Sequence, residues 1–327
     1  MLHSLALFLI VWAILVAATE RASGGDFTDN LRASVDISSR LSRTESQFWS
    51  LHAVGLDVHK VFAGDRGDIG TLTFQPYVLR IDGAPSTPSL FDDNDDTALQ
   101  WRIANFNYTA LGRGRINVRM GHFELPFGLE HVVPTNGTLH QMNSPQALGL
   151  KADWGVSLNG DLPWFEYEVA AMRGAGNDFT TDADGIVVGR VGSNRDANWR
   201  VGVSLLKGET GGAALTERRR AGLDAGLRLP HGFVIAGDYA TGKDDGIEVG
   251  HLLTELGWWN RPETTFGYLQ WRRSRFDRGL RVDSAHFGFR YEPNRHWSTA
   301  MEFNRVFDEG PGTPSRQGIS AQLRYRL

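Results

Sequence analysis

Arginines recur at even spacings along this chain, at 115 and 119, at 218 and 220, and at 324 and 326. Side chains two or four residues apart share one face of a strand. Guanidinium groups collected on one face donate paired hydrogen bonds to phosphate or carboxylate. The candidate anion-binding residues are Arg102, Arg115, Arg119, Arg200, Arg220, Arg228, Arg290 and Arg324, with Arg32, Arg40, Arg218 and Arg326 on the same faces. A structural reading competes with this one. Asp36, Asp57, Glu166, Glu168, Asp224, Asp238 and Glu302 also fall on those faces and can pair with the arginines as braces.

Other constellations carry less. His296 and Ser298 have the His-x-Ser spacing of a hydrolase that uses histidine to activate serine, but Ser298 falls on the polar face near the end of its strand. His122, His131 and His140 recur every nine residues, with Glu124 and Glu130 nearby, which admits a metal or haem site as well as isolated loop histidines. The "DDNDD" run at 92–96 lacks the spaced pattern of a calcium loop and reads as a solvated acidic segment. No glycine-rich stretch sits between a strand and a helix, so nucleotide binding is unsupported. Catalysis and a resident cofactor are not implied.

Composition narrows the setting. Mean hydropathy is -0.30 and 22% of residues are charged, which excludes a bundle of membrane-spanning helices. The net charge of -4 argues against a nucleic-acid partner. There is no cysteine, which removes disulfides, thiolate metal sites and iron-sulfur clusters. The apolar run "SLALFLIVWAILVAA" at 4–18 ends in small residues, and residues 1–18 read as a secretory signal peptide. An uncleaved anchor helix is the alternative.

The elements that must position the arginines are strands. After residue 30, period-2 alternation recurs in segments of about ten residues separated by turn signals. In the final segment Ile319, Ala321, Leu323, Tyr325 and Leu327 share one face, and Ser320, Gln322, Arg324 and Arg326 the other. The spacing predicts sixteen strands, at 31–41, 48–61, 68–82, 97–110, 113–124, 153–160, 162–174, 184–192, 198–207, 217–229, 232–241, 246–258, 262–273, 279–291, 295–306 and 317–327. An even count with alternating short turns and long loops predicts an all-β, transmembrane antiparallel barrel over 19–327 with polar residues facing its lumen. Phase slips near Pro76, Asn105 and Asp283 predict bulges.

Residues 119–130, "RMGHFELPFGLE", break the pattern. Pro126 cannot donate to a ladder and Gly128 lets the chain turn. With Phe127, they form the hinge of the longest connection, 125–152, whose sequence is too apolar in places for a freely solvated loop. Here Gly121, Phe123, Pro126, Phe127, Gly128, Leu129 and Glu130 resemble the segment before the third loop of the phosphate-selective porin family, the O and P type. The resemblance implies a sixteen-stranded outer-membrane barrel in a Gram-negative bacterium, with loop 125–152 folded inward as a constriction and a homotrimeric assembly. The clustered lysines of phosphate-selective members have no counterpart among the four lysines here (Lys60, Lys151, Lys207, Lys243).

The chain therefore reads as a passive diffusion channel for small hydrophilic solutes, favouring anions such as phosphate. Its expected surroundings are outer-membrane lipid and lipopolysaccharide, with the C-terminal strand addressed to the barrel-assembly machinery. The alternative is a structural sleeve that holds a partner, such as an electron-transfer protein, in the outer membrane.

Overall fold

A computed structural model describes residues 29–65, 67–83, 96–179, 184–194, 197–211, 215–308 and 316–327. The expected signal peptide and residues 92–95 of the acidic run lie outside the described residues. Sixteen strands follow one another: β1 (Leu31–Thr44), β2 (Phe48–Gly64), β3 (Gly67–Asp82), β4 (Thr97–Tyr108), β5 (Asn117–Glu124), β6 (Ala152–Asp161), β7 (Glu166–Met172) and β8 (Ile186–Gly192). They continue as β9 (Trp199–Thr210), β10 (Thr216–Arg228), β11 (Phe233–Asp244), β12 (Ile247–Trp259), β13 (Thr265–Phe276), β14 (Arg281–Tyr291), β15 (Trp297–Asp308) and β16 (Arg316–Arg326). One helical turn, α1 (Ser144–Leu148), lies in the long connection after β5.

Each strand pairs antiparallel with its sequence neighbours, and β1 closes on β16 from Asp36 opposite Arg326 to Thr44 opposite Gly318. The result is a closed transmembrane barrel, the arrangement a hydrocarbon surrounding demands. The strand reading from sequence holds for all sixteen. The largest start errors are at β7, expected from residue 162 and observed from Glu166, and at β5, expected from residue 113 and observed from Asn117. Arg113 and Gly114 take positive φ angles of 53° and 85° and spend those residues on the turn. The long connections gather at one end of the barrel, although two connections at that end, 45–47 and 245–246, are tight as well.

The wall is inside-out relative to a soluble protein. Along β1, Val35, Ile37 and Leu41 face outward and are exposed, while Asp36, Ser38 and Ser42 are buried inside. The aromatics Trp199, Phe233, Trp258, Tyr291 and Trp297 stand outward near the turn end and form one interfacial girdle. Trp271 stacks on Phe307 nearer the loop end, with ring centroids 5.4 Å apart. The expected register slips are present as shifts between Gln75 and Pro76 and between Asp283 and Ser284, and a further one falls between Phe62 and Ala63. The slip expected around Asn105 falls at Arg102, an extra residue opposite the Gln75–Pro76 junction.

One seam in the wall is closed by a loop. β4 pairs with β5 only along Ala104–Tyr108, so its half towards the loop end has no β5 partner. The side chain of Asn177 supplies one. Its Nδ2 donates to the Leu99 carbonyl at 2.9 Å and its Oδ1 accepts from the Trp101 amide at 2.7 Å, as a neighbouring strand would. Trp154 Nε1 donates to the Asn177 carbonyl at 3.2 Å, and the Asp153 carboxylate accepts the Gly174 and Gly176 amides. His122 is buried under this strap, its ring 5.2 Å from that of Trp154. Asn177→Ala should accelerate amide exchange at Trp101 and lower stability by about 1 kcal/mol, the net worth of a typical hydrogen bond. Unchanged exchange at Trp101 would sink this reading of the seam.

Candidate pore constriction

The long connection begins where β5 stops being able to pair. Leu125 donates to the Lys151 carbonyl at 3.0 Å, the last rung between the two arms of the loop. The Phe127 amide then donates to the Leu125 carbonyl at 2.8 Å, a three-residue turn about Pro126. Gly128 follows with φ 60° and ψ -158°, a conformation essentially confined to glycine. A Cβ there would also lie 2.3 Å from Asp238 Oδ2. The amides of Gly128 and Leu129 donate to Ser204 Oγ and Asp238 Oδ2, both at 3.0 Å, on β9 and β11. At the expected hinge of Pro126, Phe127 and Gly128, the chain thus turns from β5 towards Ser204 and Asp238 of the wall.

Apolar contacts hold the loop there. Phe123, Leu125, Phe127, Ala147, Leu148 and Leu150 pack against Ala170, Met172, Ile186, Val188, Leu206 and Ala240 of the inner wall. Leu129, Val132 and Met142 pack against Ala236 and Leu253. The Phe127 ring lies over Gly222, where a Cβ would approach it to 2.6 Å. Each large side chain buried this way contributes about 1.5–3 kcal/mol relative to exposure. Alternation read at face value sends apolar residues to lipid, and these wall residues correct it. On β8, Ile186 and Val188 lie inward beside Arg190 and Val187 outward, so the arginine rather than hydrophobicity marks the inward face.

A carboxylate organises the loop from within. Glu130 is 1% exposed; it accepts from the Met142 amide at 3.1 Å and from the Thr135 hydroxyl, and pairs with Lys151 at 2.6 Å. Asn136 bonds Glu124 at 2.7 Å. Beyond this clamp the loop runs along the wall. Arg200 donates to the Val132 carbonyl at 3.2 Å, His140 Nε2 meets Glu255 at 2.6 Å, and Arg272 and Gln270 donate to the Gln141 carbonyl at 2.7 and 3.0 Å. On the return arm Arg220 Nε donates to the Ala147 carbonyl at 2.9 Å. On the far side, Arg40 and Gln322 donate to the Thr138 and Gly137 carbonyls.

What the loop leaves open is a cavity of about 620 Å³ between residues 124–138 and the wall of β2–β5 and β14–β16. Its lining includes Arg102, Arg119, Arg290, Arg324 and Arg326 against the carboxylates of Asp57, Glu124 and Glu292. Asp36 is a buried hub behind it. Arg324 Nε lies 2.8 and 2.9 Å from its two oxygens, Arg102 3.5 Å away and Arg326 3.9 Å away, while Tyr77 donates to it at 2.7 Å. The Arg102 guanidinium lies over the Tyr77 ring at 3.5 Å. One carboxylate is therefore shared by three guanidiniums, which leaves a local excess of positive charge. Arg290 lies over Trp259, 5.3 Å from the ring centroid, and 3.7 Å from the partly exposed Glu292.

The eight candidate arginines therefore divide. Arg102, Arg119, Arg290 and Arg324 line the cavity together, and Arg326 joins them. Arg200 and Arg220 hold loop carbonyls, and Arg119 is also braced, with Nη1 3.0 Å from Glu168. Arg228 is exposed at the turn end of β10. Arg115 departs from expectation: it sits in the bend before β5, exposed, because the turn consumes the first residues of the expected strand. The sequence reading also missed Arg190, buried on β8 between Glu166 (3.1 Å) and Asp224 (2.7 Å). Its partners fell on the expected polar face, which was the available signal. The three spaced histidines separate: His131 approaches Glu168 at 3.6 Å, His140 meets Glu255, and His122 lies under the strap. No group of three potential metal-ligating side chains occurs among the described residues.

The barrel is similar to solved porin structures. An anion-selective porin from Comamonas acidovorans superposes with a TM-score of 0.67 at 11% identity, covering 91% of this chain and 99% of that one. OprB of Pseudomonas putida gives 0.70 at 7% identity, covering 91% and 94%, and OmpF of Salmonella typhi 0.64 at 10%, covering 92% and 99%. At these identities the likeness is one of fold. No protein-family model matches the chain, and no curated protein does.

Two substitutions probe the seat of the loop. Gly128→Ala should cost about 1–3 kcal/mol in backbone strain alone and loosen the loop, seen as faster proteolysis within 125–152. Equal cleavage rates in the two proteins would contradict the hinge geometry. Glu130→Gln leaves Lys151 without its close ionic partner and should produce noisier single-channel current; a quiet trace identical to wild type would remove Glu130 from the clamp.

Proposed function

We propose that this chain is an outer-membrane porin: a water-filled channel for passive diffusion of small hydrophilic solutes, favouring anions such as phosphate. The observation that carries the reading is the inserted loop, which narrows a closed barrel to a cavity of about 620 Å³ lined by five arginines and three carboxylates. A solute crossing it exchanges bulk water for guanidinium donors in a narrow passage, where the positive excess favours anions. The pairing around Asp36 and Glu168 keeps that excess modest. Arg290 and Arg326 carry most of the preference, since their carboxylate partners stand at 3.7 and 3.9 Å.

The surroundings follow from the wall. Lipid meets the apolar exterior, lipopolysaccharide meets the loop end, and the C-terminal strand β16 addresses the assembly machinery. Three copies assemble in the membrane, as the resemblance of "GHFELPFGLE" to phosphate-selective porins implies. The sleeve reading is disfavoured because the loop occupies the lumen that a folded partner would need. No catalytic turnover is required for transport.

Reversal potentials across planar bilayers in a salt gradient test the proposal. Wild type should be anion-selective, and Arg290→Gln with Arg326→Gln should lower the anion-to-cation permeability ratio without loss of heat-modifiable migration. A cation-selective wild type overturns the anion preference. Folded protein that conducts no current overturns the channel in favour of the sleeve.

A further inference from the structure

The His-x-Ser spacing at 296 and 298 does not form a pair. His296 Nδ1 faces the Arg326 carbonyl at 2.7 Å, and Ser298 lines the cavity. A different serine and histidine do meet. On the inward face of β14, Ser284 Oγ lies 3.1 Å from His286 Nε2, and His286 Nδ1 lies 3.3 Å from Glu302 Oε1 on β15. These are the two contacts that activate a serine nucleophile: the hydroxyl on one ring nitrogen and an orienting carboxylate on the other. Other serine–histidine contacts, Ser39 and Ser50 with His52 and Ser274 with His251, carry no such carboxylate bond among the described residues.

The surroundings are built for this geometry. A register shift falls beside Ser284, where Phe307 of β15 is the extra residue opposite the Asp283–Ser284 junction. Tyr268 donates to Glu302 Oε2 at 2.6 Å and fixes that carboxylate. Its ring reaches there across Gly288, where a Cβ would lie 2.0 Å from it. Arg272 stands directly across the ladder from Ser284 on the same inward face. The side chains of His286 and Glu302 retain 15% and 11% exposure.

We propose that Ser284, His286 and Glu302 form an esterase site in the lumen wall, acting on small carboxylic esters that enter the channel. His286 Nε2 takes the Ser284 hydroxyl proton as Oγ bonds to the ester carbonyl carbon, and the carbonyl electron pair moves onto its oxygen. The carbon–alkoxide bond breaks, and the leaving alcohol takes the proton from Nε2. Water then gives a proton to Nε2 and attacks the acyl-serine. The carboxylic acid leaves, and the proton returns to Oγ. Glu302 holds the ring in the required orientation. The site rests on the lumen being open to water, which conductance measures separately.

Folded full-length protein in detergent should take up a fluorophosphonate probe at Ser284 and hydrolyse p-nitrophenyl acetate. Ser284→Ala should abolish both and leave conductance unchanged. Glu302→Gln should slow labelling about 10²–10⁴-fold, and Glu302→Asp should recover part of that loss. A conducting, heat-modifiable protein that takes no label overturns the proposal. So does label that persists in Ser284→Ala, and either outcome would leave these residues as a hydrogen-bonded brace of the wall.

Discussion

Every backbone amide and carbonyl in a hydrocarbon surrounding must find its partner within the protein, and this constraint shapes the whole molecule. It forces the sheet to close, so that β1 must pair with β16. It also explains the strap at 173–179. Where β5 leaves the wall early, the edge of β4 would face lipid unpaired, and the Asn177 amide side chain substitutes for the missing strand. Its carboxamide carries both the donor and the acceptor that the missing strand would have supplied.

Closure creates a lumen, and filling part of it needs a second departure from simple alternation. A loop folded into water-filled space gains nothing unless the wall there is apolar. The inner faces of β7–β9, β11 and β12 supply that surface through Met172, Ile186, Val188, Leu206 and Leu253. The loop meets it with the aromatics and leucines of its hinge, while polar bonds to Ser204, Asp238, Glu255 and Gln270 set its position. Apolar burial supplies the stability, and the directional bonds supply the register.

Charge is arranged on both sides of the passage. Most guanidiniums that alternation sends inward are neither free nor uniformly paired. Arg190 is saturated by two carboxylates, Arg220 holds a loop carbonyl, and Arg102, Arg324 and Arg326 share Asp36. Anion attraction and structural bracing are therefore properties of the same residues, with the balance set by how many carboxylates each cluster contains. The constellation at Ser284 arises in the same way, since inward positions two residues apart bring hydroxyl, imidazole and carboxylate into reach.

Strand number, strand positions and the break in pattern at Pro126–Gly128 were legible in the sequence by itself. They depend on a period of two residues and on local turn chemistry, both written in adjacent positions. Which arginines meet in one cavity, which carboxylates they share, and why Arg115 stays outside were decided by tertiary structure. So were the apolar seats for the loop. Alternation assigns a residue to one of two faces, whereas partnership across a closed barrel depends on register between distant strands. Asp36 and Arg324 lie almost at opposite ends of the chain, and closing β1 on β16 is what brings them together.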